Sequence, residues 1–175
     1  MGLDIFEDIV ATWLQTNGYF MMNNIRYGHN QEIDVLATKL GKNGIIHIEV
    51  SCSSNPSDIV GTKNHEKIGY EQAAINFAEK KFFNKEVKGK ILALSGQEPK
   101  ERWFIHAIMD EPKQLDILRE KGIKPINIKD VIKDIQSSDL RDSSGNKRIK
   151  QLFDIIKKIN EQQSISTPSH QHPPL

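Results

Sequence analysis

Apolar residues recur at every second position in two neighbouring stretches of the chain, at 33–37 and at 46–50. The residues that alternate with them are Glu32, Asp34 and Leu36 in the first stretch and His47, Glu49 and Ser51 in the second. A period of two is typical of a pleated strand with different side chains on its two faces. The dipeptide Asn43-Gly44 lies between the stretches and favours a tight turn. The pattern therefore predicts an antiparallel hairpin in which Asp34 lies within a residue or two of Glu49.

The hydrophobic pattern elsewhere predicts a chain of alternating elements. Helical spacing predicts helices at 4–17, 112–121, 130–136 and 147–160, and an interrupted helix that follows Ser51 and ends at 82–84. Short apolar runs predict strands at 19–27, 90–95, 102–109 and 123–128. Alternation of strands and helices predicts a mixed sheet with helices on both faces. We expect one α/β domain over 1–161 and a flexible tail over 162–175.

Charge and composition restrict the classes of partner. The 24 Lys and Arg residues against 23 Asp and Glu leave a formal net charge of +1, so a nucleic-acid site would have to be a local patch. The single cysteine, Cys52, excludes an internal disulfide and a cysteine-based zinc site, and a reducing cytoplasmic location is expected. No apolar run is long enough to span a membrane, so a membrane partner is not expected.

Basic residues gather in two stretches of the chain. They are Lys80, Lys81, Lys85, Lys88 and Lys90 in the first, and Arg141, Lys147, Arg148 and Lys150 in the second. Either stretch could follow a phosphate backbone, and either could be a solvated helix end. The sequence alone leaves both interpretations open.

Two carboxylates, Asp34 and Glu49, converge on the predicted hairpin. Like charges that close repel, so they persist together when solvated, when one is protonated, or when a cation lies between them. A divalent metal site is one interpretation, and a solvated strand face with two unrelated acids is the other. Glu7 lies at the edge of the apolar stripe of the first helix and either points towards the hairpin or is a first-turn acid favoured by the helix dipole.

The order of these elements resembles that of the PD-(D/E)XK nuclease superfamily. A helix bearing Glu7 precedes a strand bearing Asp34 and a second strand with Glu49, Val50 and Ser51, and EIDVLA followed by IHIEVS is similar to the metal-binding hairpin of that superfamily. The likeness covers roughly 4–83. It implies a restriction-endonuclease-like mixed central sheet flanked by helices, and a metal-dependent DNA endonuclease of DNA processing, repair or defence.

The resemblance also implies a ligand set. Asp34, Glu49 and the backbone carbonyl of Val50 would bind Mg²⁺, with Mn²⁺ able to substitute, and Glu7 would add a ligand or a water contact. DNA is the implied substrate. A homodimer formed through the last helix is expected by analogy with relatives that cut two strands.

The sequence departs from the superfamily pattern at Ser51. Most members carry a lysine there, and a serine hydroxyl supplies no positive charge to the attacking water or the phosphate. Two explanations are open. In one, Lys63 or Lys67 on the polar face of the following helix takes the catalytic role in place of Ser51. In the other, the site is degenerate, and the domain binds DNA or a protein partner without cleavage.

Overall fold

A computed structural model of the chain describes residues 5–29, 31–52, 59, 62–63, 66–107, 109 and 111–137. The chain divides into two compact units, Met1–Ile135 and Gln136–Leu175, and in the second the described residues are Gln136 and Ser137. The predicted helix at 147–160, the predicted domain end at 161 and the predicted tail lie outside the described residues. The dimer contact predicted for the last helix lies outside them as well.

The first unit is built on a five-stranded mixed sheet. Its strands, in spatial order, are β1 Tyr19–Gly28, β2 Gln31–Lys39, β3 Ile46–Ser51, β6 Glu101–His106 and β7 Ile123–Asn127. A separate two-stranded sheet pairs β4 Thr62–Lys63 with β5 Glu66–Lys67. The first three strands form an antiparallel meander, whereas β3, β6 and β7 run parallel. The predicted hairpin and the mixed sheet are therefore confirmed.

Helices cover both faces of the five-stranded sheet, as the alternating pattern predicts. They are α1 Ile5–Thr16, α2 Tyr70–Ala78, α3 Lys85–Ser95, α4 Lys113–Glu120 and α5 Ile128–Ser137, with a π-helical segment, Glu79–Phe83, between α2 and α3. The two faces are distinguished by adjacent residues of β6. The ring of Trp103 contacts Trp13 of α1, while Phe104 packs in one cluster with Phe82 of the π-helical segment. None of the described helices is long and apolar enough to cross a bilayer.

The predicted strand at 90–95 is wrong, because this segment belongs to α3. Its buried residues are Val87 and Ile91, which lie one helical turn apart, whereas Leu92 and Leu94 are exposed. Asn84 caps the start of the helix, its side chain accepting a hydrogen bond from the backbone N–H of Glu86 at 2.8 Å. A short apolar run with a β-branched residue is ambiguous between helix and strand, and the cap resolves it here.

The predicted helix between Ser51 and α2 is also wrong where it is described. Residues Thr62–Lys63 and Glu66–Lys67 pair as antiparallel strands, and the helix begins only at Tyr70. Gly69, the residue before α2, has a ψ of 152°, which is outside the helical region. The polar helix face that was expected to carry Lys63 and Lys67 therefore does not exist.

Gln114 of α4 forms hydrogen bonds with the backbone of Ile59 and of Tyr70, the first residue of α2. Its side chain is fully buried, its Oε1 accepts a hydrogen bond from the backbone N–H of Ile59 at 3.0 Å, and its Nε2 donates to the carbonyls of Ile59 at 2.8 Å and Tyr70 at 3.0 Å. Buried backbone groups require partners, and one side chain supplies three of them here. Gln114 thereby links Ile59 and Tyr70 to α4.

We expect Gln114→Ala to lower the free energy of unfolding by about 3 kcal/mol, because buried donors and acceptors lose their partners. Gln72→Ala is the matched control, since Gln72 is exposed and its side chain donates a hydrogen bond to the exposed side chain of Asn76. The control should change stability by less than about 0.5 kcal/mol. Urea denaturation followed by circular dichroism measures both, and an equal effect of the two substitutions would contradict the role given to Gln114.

Candidate active site

Asp34 lies in β2 with its carboxylate turned towards the neighbouring strand β3. The register pairs of the two strands end at Val35 with Ile48, and one step further the Oδ2 of Asp34 accepts the backbone N–H of Val50 at 2.7 Å. A side-chain oxygen thus takes the place that a backbone carbonyl has in a regular ladder. Only 7% of Asp34 is exposed. The hydrogen bond fixes the carboxylate at the edge of the hairpin predicted from the sequence.

Glu49 is the second acid and lies almost fully buried in β3. Its Oε1 is 2.8 Å from Nε2 of His47, which is itself fully buried. The imidazole packs against the ring of Phe82, with 4.8 Å between the ring centroids. His47 and Glu49 are two residues apart and point to the same face of the sheet. His47 and Phe82 therefore hold Glu49 in one orientation.

Lys81, in the π-helical segment, joins the two acids. Its Nζ lies 2.6 Å from Oε2 of Glu49 and 3.9 Å from Oδ1 of Asp34. Its side chain is 29% exposed, so the ammonium group reaches the acids from the solvent side of the site. The adjacent Phe82 also faces the sheet, where it contacts His47. π-helical turns are rare and often occur at functional sites, and this one presents a cation and an aromatic ring together.

Burial sets the protonation of the two acids. It raises the pKa of Asp34 from 3.8 to about 6, with a further increase from the charge of Glu49, while Lys81 and the Val50 N–H oppose the shift. Burial likewise raises the pKa of Glu49 from 4.5 to about 7, against the opposing effect of Lys81. Both carboxylates therefore ionise close to neutral pH. An added cation would favour their ionised forms.

The two basic groups of the site have different charge states. Burial lowers the pKa of His47 from 6.5 to about 3, and the charge of Arg102 lowers it further, so the imidazole is neutral at neutral pH. Burial by itself would lower the pKa of Lys81, but Glu49 and Asp34 outweigh it and the pKa is raised. Lys81 is therefore the cation of the site, and neutral His47 donates its Nε2–H to ionised Glu49.

Tyr27 of β1 lies beside these groups. Burial raises the pKa of its hydroxyl, the charge of Lys81 lowers it, and the charges of Glu49 and Asp34 raise it. Its ring packs against the apolar cluster between β1, β2 and α3. Tyr27 is half-buried, and its hydroxyl feels the charges of the site.

The structure separates the predicted site residues into two groups. Asp34 and Glu49 meet at Lys81, and Val50, the residue after Glu49, donates its N–H to Asp34. Ser51 is exposed at the end of β3, and Glu7 is half-buried in the first turn of α1. Within the described residues no group of three His, Cys, Asp or Glu side chains is placed to hold a metal ion by itself.

Among the side chains that the structure describes, Lys81 is the lysine next to the acids, whereas the prediction named Lys63 or Lys67. Those two lie in β4 and β5, where the expected helix is replaced by strands, and their side chains are outside the described part of the chain. The sequence carried one signal for Lys81, its position in the first basic stretch near the end of a helix. His47 carried a second signal, because it shares a strand face with Glu49 at a spacing of two.

The residues fit a divalent cation that keeps several of its waters. Two carboxylates already share one cationic group, the ammonium of Lys81, and both have raised pKa values. Oxygen ligands from two carboxylates suit Mg²⁺, which is commonly held by one or two carboxylates and completes its shell with water. Asp34 and Glu49 would hold such an ion.

Comparison with known proteins leaves the family of this chain open. No family model matches the chain, and no curated protein matches it. The crystal structure of a protein of unknown function, designated AF1548, is similar with a TM-score of 0.48 and 17% sequence identity, over 81% of this chain and 73% of that chain. A similarity of this degree does not identify a fold family or a function.

We expect Asp34→Asn to stabilise the metal-free protein at pH 7.5 but not at pH 4. Because the folded-state pKa of Asp34 is raised from 3.8 to about 6, its favourable contribution is present below pH 4 and is lost as the pH rises through 6. At about 1.4 kcal/mol for each pKa unit, the variant should be more stable by about 3 kcal/mol at pH 7.5. Urea denaturation at the two pH values measures the difference.

The control for this prediction is Asp116→Asn, at an exposed aspartate on α4. Its effect should stay below about 1 kcal/mol at both pH values, as is usual for an exposed ion pair. A stability difference between Asp34→Asn and the wild type that is the same at pH 4 and pH 7.5 would contradict the raised pKa of Asp34.

Proposed function

We propose that the protein is a Mg²⁺-dependent endodeoxyribonuclease of the PD-(D/E)XK superfamily, with a restriction-endonuclease-like fold. The observation that supports this most is the position of Lys81, whose Nζ lies 2.6 Å from Glu49 and 3.9 Å from Asp34. It supplies from a helix the positive charge that the superfamily pattern has at the position of Ser51. Lys81 would thereby compensate for the serine at position 51.

Asp34, Glu49 and the carbonyl of Val50 would hold Mg²⁺, and Mn²⁺ would substitute. Such an ion lowers the pKa of a bound water and neutralises charge on phosphate oxygens. The hydrogen bond from the Val50 N–H to Asp34 and the contact of Glu49 with His47 fix the two carboxylates before the ion arrives. Holding ligands in place in this way reduces the reorganisation required on binding.

Lys81 would act on the substrate itself. Hydrolysis joins a water oxygen to the phosphorus and breaks the bond to one bridging oxygen, which leaves with a proton as a hydroxyl group. The developing negative charge lies on the non-bridging phosphate oxygens, and the ammonium group of Lys81 can donate hydrogen bonds to them. Its long stem and partial exposure allow the Nζ to turn from the carboxylates to a phosphate group while remaining in the site.

We expect purified protein to cleave plasmid DNA in the presence of Mg²⁺ or Mn²⁺, and Lys81→Met to lower the cleavage rate at least about 100-fold, since one donor to a developing oxyanion is typically worth that much. Lys80→Met is the matched control, because Lys80 is the exposed neighbour on the same helical segment. The control should cleave within about threefold of the wild type. Gel analysis of nicked and linear plasmid measures all three rates.

Asp34→Ala should abolish cleavage in the same assay, because it removes a metal ligand. Cleavage that persists in Asp34→Ala, or an equal loss in Lys81→Met and Lys80→Met, would overturn the assignment of the site. Wild-type protein that retains DNA in a salt-sensitive manner but does not cut it would instead support the alternative, a nuclease-like module that binds DNA without cleavage. Wild-type protein that neither cuts nor retains DNA would leave a protein partner as the ligand of that module.

A further inference from the structure

Asn24, in the middle of the edge strand β1, has a left-handed backbone. Its φ is 53°, and it is the one non-glycine residue of the described chain with a positive φ. The register pairs on either side of it are Asn23 with Val35 and Ile25 with Ile33. Asn24 therefore lies across from Asp34 on the neighbouring strand. A positive φ inside a strand is unfavourable and occurs where the surrounding structure requires it.

The strand β1 changes face at this residue. Tyr19 and Ile25 are six residues apart, with no register shift between them, and would share a face in a regular strand. The ring of Tyr19 contacts Trp103, which is on the side of α1, with 6.1 Å between the centroids. Ile25 instead packs in the apolar cluster that contains residues of α3, on the other side. The backbone turns over between them, in the stretch that contains Asn24.

The strand β2 changes face at the matching point. Ile33 and Leu36 are three residues apart and would point to opposite faces of a regular strand, yet both pack in the cluster with Val87 and Ile91 of α3. Asp34 lies inside this irregularity. Its carboxylate is directed along the sheet to the N–H of Val50, at 2.7 Å, and so reaches the site that Glu49 and Lys81 share. At adjacent positions, β1 and β2 thus both change the face of the sheet to which their side chains point.

We infer that Asn24 is a positioning residue for Asp34. Its left-handed backbone lets β1 follow the irregularity of β2 while the two strands stay paired, and this keeps the Asp34 carboxylate on the Val50 N–H. Asparagine adopts this conformation more readily than most residues, glycine adopts it freely, and a β-branched residue is strongly disfavoured in it. The value of Asp34 as a metal ligand rests on the proposed function, but its placement by Asn24 does not.

The test compares Asn24→Val with Asn24→Gly, and uses Asn23→Val as the matched control on the adjacent exposed residue. The first readout is hydrogen exchange of the Val50 amide in metal-free protein, followed by NMR. The second is Mn²⁺ affinity from titration calorimetry. Asn24→Val should speed exchange at Val50 and weaken Mn²⁺ binding, each about tenfold, which is the scale expected for forcing a left-handed backbone on a side chain that opposes it. Asn24→Gly and Asn23→Val should stay within about threefold of the wild type.

Asn24→Val with a lower melting temperature but unchanged Val50 exchange and Mn²⁺ affinity would overturn the inference, since Asn24 would then serve stability alone. An equal effect of Asn24→Gly would overturn it too, because the side chain and not the backbone would be responsible. If Asn24→Val does not fold, Asn24→Ala replaces it, with the same expected direction and a smaller effect. A wild-type protein that binds no Mn²⁺ would count against the proposed function, while the Val50 exchange would still decide the role of Asn24.

Discussion

Two carboxylates that are almost withdrawn from water require a positive charge between them, and this requirement connects most of the structure. Asp34 and Glu49 come from neighbouring strands, whereas the ammonium group comes from Lys81, far along the chain. The π-helical segment must therefore pack on one face of the sheet in a single position and orientation. Phe82 on His47, and the apolar clusters on either side of this contact, hold it there. Packing of the core and neutralisation of the acids are thus achieved by the same contact.

The sequence predicts those parts of the molecule that local pattern determines. The alternation around Asp34 and Glu49, together with Asn43-Gly44, was sufficient for the hairpin, and helical spacing was sufficient for α1, α4 and α5. The lysine was not predictable, because nothing in the neighbourhood of Lys81 distinguishes it from Lys80, and only tertiary docking selects one of them. The strand prediction at 90–95 was wrong for a related reason, because the sheet on which Val87 and Ile91 pack decides that these two residues are buried.

The left-handed residue is a further case in which the determining information is not local. Asn24 lies in a run of residues that reads as an ordinary strand, and asparagine is also common in turns. Its role becomes visible only through the cross-strand register with Asp34. The raised pKa values of Asp34 and Glu49 have the same origin, because burial by distant segments sets them. Strain and charge thus converge on one small region of the sheet, which is where function commonly resides.

The sequence separation between the carboxylates and Lys81 has a consequence for the order in which the protein folds. The meander of β1, β2 and β3 is made of short-range contacts, whereas the parallel pairing of β3 with β6 and the docking of the π-helical segment join residues far apart in the chain. Local contacts generally form before distant ones, so we expect the two acids to face water, ionised, while the meander is already formed. Docking of the helical layer then dehydrates both acids at once. The pH should therefore change the rate of this docking step more than the rate at which the meander forms.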